Sequence, residues 1–74
     1  MFNERLKMIR TQKGLTQKEV AASIRLGERN YQSFEYGECK PSFDTLIALA
    51  DLFDVSLDYL VGRTSAKESD TAIL

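Results

Sequence analysis

The stretch from Leu15 to Glu35, "LTQKEVAASIRLGERNYQSFE", holds two apolar patterns of helical spacing with only a few residues between them. Thr16 followed three residues later by Glu19 is a capping box, in which each side chain satisfies the other's unpaired backbone N–H at a helix start. Val20, Ala21 and Ile24 then mark a buried stripe, which predicts a short helix over 17–24. Tyr31 and Phe34 form the next inward pair, with Gly27 at the N-cap position and Gly37 as a stop, so a second helix is expected over 28–36. That geometry leaves Glu28, Arg29, Gln32, Ser33 and Tyr36 on the outer face of the second helix, a polar set able to donate and to accept hydrogen bonds.

The flanks follow the same period. Phe2, Leu6 and Ile9 recur at spacings of four and three and Gly14 follows them, which predicts a first helix. After the loop "GECKPS", Ser42 is placed to cap a fourth helix, whose Leu46, Ile47, Leu49, Ala50 and Phe53 cover more than one stripe and suit the centre of the core. Ser56 opens a last short helix carrying Leu57, Leu60 and Val61, ended by Gly62. No segment alternates with the period of two that a strand requires. The expectation is an all-α, five-helix domain over 1–62, followed by a polar tail, "RTSAKESDTAIL", over 63–74.

Composition narrows the chemistry. Seventy-four residues support one small core, and 43% hydrophobic with 28% charged residues is the balance of a folded domain rather than a disordered chain. Cys39 is the sole cysteine and histidine is absent, so no internal disulfide and no Cys/His metal cluster can form. No cofactor is expected, and no enzyme: no histidine base, no Gly-rich phosphate loop and no paired base for the cysteine are present. The longest apolar run, residues 46–50, is far shorter than the roughly 20 residues that cross a bilayer. The opening "MFNERLKMIR" lacks the apolar core of a secretory signal, so a cytoplasmic location is expected. Net charge is −1, but it is unevenly spread. Residues 1–40 carry eight Lys and Arg against five Asp and Glu, whereas residues 41–74 carry two against six. Such polarity can turn one end of a domain toward phosphate.

Two short helices joined by a tight turn, each with its apolar side inward, form a helix-turn-helix, and Ala21 is small enough to let the two approach closely. The DNA major groove admits one helix and presents a different donor and acceptor pattern for each base pair. In such a groove Arg29 suits guanine, Glu28 suits cytosine N4, and Gln32 or Asn30 suits adenine. Thr16 and Gln17, at the start of the preceding helix, suit a phosphate, and Lys40 suits the backbone on the other side.

Three segments together, "RLKMIRTQKGLTQKEVA" at 5–21, "FEYGECKPS" at 34–42 and "TLIALADLFDVSLDYLVG" at 45–62, resemble the Cro and phage-repressor (XRE-like) type of helix-turn-helix domain. The resemblance implies a DNA-binding transcriptional regulator, foremost a repressor, that binds a pseudo-palindromic operator in double-stranded DNA as a homodimer. It also implies that Gln17 meets phosphate, that Glu28, Arg29 and Ser33 read bases, and that Arg10 and Glu35 form an internal salt bridge. Leu57, Tyr59 and Val61 fall where such domains meet a partner subunit, although they serve equally as core. Where the family carries glycine in the turn this chain has Arg25, and a non-glycine residue in a left-handed conformation there costs about 1–2 kcal/mol. The contrasting expectation is a protein-interaction module, such as an antitoxin-like or anti-repressor partner, which the sequence pI of 5.3 and Glu28 favour.

Overall fold

Three of the helix starts among the described residues are set by hydroxyl caps. In the computed structural model, which describes residues 1–63, the Thr16 hydroxyl accepts from Glu19 N at 3.0 Å while Glu19 Oε1 accepts from Thr16 N at 2.8 Å, completing the capping box that opens α2 (Gln17–Ser23). Ser42 accepts from Thr45 N and Ser56 from Tyr59 N, opening α4 (Phe43–Phe53) and α5 (Leu57–Val61) in the same way. With α1 (Phe2–Gln12) and α3 (Glu28–Glu35), these make five helices and no strand among the described residues. No helix among them is long and apolar enough to cross a membrane. The expected tail lies outside the described residues from position 64 onward.

The turn between α2 and α3 is where the chain changes direction. Helical geometry ends one residue earlier than expected, with Ile24 as the cap residue of α2, and Tyr36 likewise caps α3 instead of extending it. Arg25 takes φ +61°, the left-handed region that side chains other than glycine adopt at a cost, and Leu26 N then donates to Ala21 O at 2.9 Å. Gly27 is the N-cap of α3 in an extended conformation, φ −68°, and contributes no side-chain cap.

Leu6, Ile9, Val20, Ala21, Tyr31, Phe34, Leu49, Ala50, Phe53, Val55, Tyr59 and Leu60 form the core, each large aliphatic or aromatic side chain contributing about 1.5–3 kcal/mol on burial. The packing hub is α1, which lies against both α3 and α5, rather than α4, which packs principally on α5. Two of the residues on the apolar face of α4 stay in solvent: Ile47 is 39% exposed, contrary to its expected place in the core, and Phe43 is 65% exposed. The eleven-residue helix carries more apolar positions than one neighbour can cover. At the other end of α3, Gly37 has φ +79°, and a Cβ there would lie 3.3 Å from Asn3 Nδ2 of α1.

Candidate nucleic-acid interface

What orients α3 is a carboxylate with four donors on it. Glu35, buried at the end of α3, accepts at Oε2 from Arg10 Nε at 2.5 Å and from the Tyr31 hydroxyl at 2.5 Å. Its Oε1 accepts from Arg10 Nη2 at 3.2 Å and from Gln17 Nε2 at 3.0 Å. Arg10 spends a further N–H on the Leu15 carbonyl, at 2.8 Å. One carboxylate therefore ties α1, α2 and α3 together. Burial alone would raise the Glu35 carboxyl, but the hydrogen bonds from Arg10, Tyr31 and Gln17 outweigh it and hold the group below the usual carboxylate range. Burial and the bond to Glu35 push the Tyr31 phenol well above its ordinary value, so it stays a donor.

From Glu35 the chain of hydrogen bonds runs outward to the protein surface. Gln17 Oε1 accepts from Gln32 Nε2 at 3.1 Å, and the same nitrogen lies 3.5 Å from Glu28 Oε2, one turn back along α3. The surface this leaves differs from the expected one. Glu28, Arg29 and Asn30 are exposed, and neither Arg29 nor Asn30 has a side-chain hydrogen bond among the described residues. Gln32 and Ser33, expected outward, are half-buried, because Gln32 is drawn in by Gln17 and the Ser33 hydroxyl donates to the Asn30 carbonyl at 2.6 Å. Cys39 Sγ lies 2.8 Å from that hydroxyl. Gln17, expected to meet phosphate, is half-buried with one amide hydrogen on Glu35; its second hydrogen has no bond among the described residues. Thr16 is exposed and its oxygen accepts the cap bond, which leaves its own hydrogen for another acceptor.

Other expected site residues lie elsewhere. Lys40 is exposed and shares a surface depression of about 270 Å³ with Met1, Phe2, Asn3, Phe34, Gly37 and Cys39, away from the N-terminal end of α3. Tyr59, expected either against a partner subunit or in the core, is 6% exposed within its own chain: the Arg5 guanidinium sits 4.4 Å from its ring centroid and Arg5 Nε donates to its carbonyl. Leu57 and Val61 are half-buried, and of these three residues they are the ones that keep surface for a second chain. Tyr31 was expected inward beside Phe34, but its hydroxyl was given no partner. A phenol on the inward face, four residues before Glu35, was the available signal.

The arrangement is that of an exposed helix end presenting one cation, one amide and a carboxylate, with its axis fixed by an ion pair behind it. Comparison with known proteins places it. The helix-turn-helix family model matches residues 6–60. The HTH-type transcriptional regulator ImmR of Bacillus subtilis is 39% identical over 74 residues, covering 99% of this chain and 58% of that protein. The cryptic phage CTXphi transcriptional repressor RstR of Vibrio cholerae is 32% identical over 73 residues, covering 99% of this chain and 65% of that protein. The chain thus spans about three-fifths of the length of these relatives. Among solved structures, a transcriptional regulator from Listeria innocua superposes with a TM-score of 0.79 at 30% identity, over 99% of this chain and 68% of that one. The P22 c2 repressor, solved in complex with a synthetic operator, gives a TM-score of 0.79 at 22% identity over 86% of this chain and 97% of that one, a likeness of fold. The chain belongs to the helix-turn-helix family, in its Cro and phage-repressor branch.

Proposed function

We propose that this domain is the sequence-specific DNA-binding part of a transcriptional regulator, which places the N-terminal half of α3 in the major groove of an operator. The observation that carries the reading is the exposed set Glu28, Arg29 and Asn30 on a helix whose orientation is fixed from behind by Glu35. Base edges are read by short side chains held on a rigid element, and phosphate contacts from Thr16, Gln17 and Lys40 would set the register. The domain acts as a homodimer on a pseudo-palindrome, with half-sites about 34–36 Å apart, the spacing of one helical turn. Leu57 and Val61 supply the partner contact. ImmR, RstR and the Listeria protein, all named as regulators or a repressor, support this reading.

The competing reading, a protein-interaction module, draws on the exposed Phe43 and Ile47 of α4. Selection from random double-stranded DNA at moderate salt separates the two. A reader of sequence enriches one motif with two symmetry-related halves, whereas an adaptor enriches none.

A further inference from the structure

Glutamine is normally an ambidextrous reader of DNA: one amide end donates, the other accepts, and together they pair with adenine N6 and N7. Gln32 is not in that position. Glu35 is an ionised carboxylate and can only accept, so the Gln17 amide must turn its nitrogen toward it, as the 3.0 Å contact has it. Turning Gln17 over would set its oxygen against a carboxylate oxygen. With the nitrogen end committed, Gln17 presents its oxygen to Gln32, and Gln32 must in turn point its own nitrogen inward, 3.1 Å away. The same nitrogen lies 3.5 Å from Glu28 Oε2, so both of its neighbours within the chain are acceptors. Gln32 Oε1 has no hydrogen bond among the described residues, and no buried side-chain polar atom there lacks a partner, so this oxygen faces solvent.

We propose that the buried carboxylate of Glu35, acting through Gln17, fixes Gln32 as an acceptor-only reader of the operator. The inference rests on the DNA-binding reading above and specifies its chemistry. Gln32 accepts from the exocyclic amine of a base pair, adenine N6 or cytosine N4, and makes no bond to purine N7. Its neighbours reinforce the bias. Glu28 offers carboxylate oxygens, and the Ser33 hydroxyl has given its hydrogen to the Asn30 carbonyl, leaving an acceptor. Donors on this surface come from Arg29 and Asn30. Gln17 and Glu35 are positioning residues, and Gln32 is the one that touches the base.

The test uses the operator recovered by random-site selection and the base pair whose preference disappears in Gln32→Ala. Two chemical variants of that pair are titrated against the wild-type chain, one with a 7-deaza purine and one lacking the exocyclic amine. The expected result is that the 7-deaza duplex binds as tightly as the parent, whereas loss of the amine weakens binding about fivefold or more, in line with one hydrogen bond. The amine effect vanishes with Gln32→Ala, which corrects for any weakening of the duplex itself. In Gln17→Met the Gln32 amide is released, and the 7-deaza duplex becomes the weaker ligand by a similar factor. A 7-deaza effect in the wild-type chain, an amine effect that is absent or persists in Gln32→Ala, or a Gln32→Ala chain with unchanged preference at every pair overturns the proposal. The wild-type titrations decide the matter even where Gln17→Met fails to fold. Failure of the wild-type chain to enrich any sequence would instead refute the DNA-binding reading on which the proposal stands.

Discussion

Arg10 of α1 and Glu35 of α3, twenty-five residues apart in sequence, meet through two hydrogen bonds in the interior, at 2.5 and 3.2 Å. Removing one member of a buried pair strands the other, at about 3–5 kcal/mol. Arg10→Ala is therefore expected to lower the free energy of unfolding in denaturant by that amount. Because the partners are coupled, the cost of Arg10→Met and Glu35→Met combined falls short of the sum of the single changes by about 0.5–3 kcal/mol. Additive single costs would show that the pair does not hold α1 against α3.

The same pair sets a response to acid. Glu35 has a folded-state pKa held below its unfolded value, so its contribution is fully present above the unfolded carboxylate range and is lost as pH falls through the lowered folded value. Stability should decline from about pH 4 downward, the region below the ordinary glutamate pKa. In Glu35→Gln the decline over that interval should be shallower. Equal slopes for the two chains would mean that other carboxylates carry the acid response.

Arg25 stands in the left-handed region at φ +61° with its side chain exposed, so glycine should serve better there. Relief of about 1–2 kcal/mol is offset by about 0.5–1 kcal/mol of added freedom in the unfolded glycine chain. Arg25→Gly should raise stability by up to about 1.5 kcal/mol, which for a domain of this size shifts Tm upward by about 4–8 °C per kcal/mol. A lowered Tm would mean that the Arg25 side chain makes a stabilising contact.

Arg29 and Lys40 should fail differently. Arg29→Ala is expected to cost about 1–3 kcal/mol on the selected operator and to relax preference at one base pair per half-site. Lys40→Ala should weaken all sequences alike and reduce the salt slope by about 1. Binding titrations of both chains over a range of salt, on operator and on scrambled DNA, make the comparison.

Most of the fold was legible because local signals agreed. Thr16 with Glu19, Ser42 and Ser56 announce helix starts by the same hydroxyl chemistry, and the spacing of Leu6 with Ile9 and of Tyr31 with Phe34 gives the inward faces. The interface was less legible. A helical period tells which way Gln32 and Ser33 point, but not that Gln17 reaches across from α2 to pull Gln32 half under the surface. Ile47 left its expected place in the core, and Tyr59 took one of the two places open to it, for a related reason. Period cannot say which neighbour lies over a face, and only the packed chain shows Arg5 lying on the Tyr59 ring while Ile47 stays 39% exposed.

That α3 meets bases from the major-groove side is tested most directly by methylation interference on the selected operator. Guanine N7 lies in the major groove and adenine N3 in the minor groove. Methylation at guanine N7 is predicted to block binding, and the block at one guanine per half-site is predicted to disappear with Arg29→Ala. Interference confined to adenine N3, or an N7 pattern indifferent to Arg29→Ala, would contradict the account.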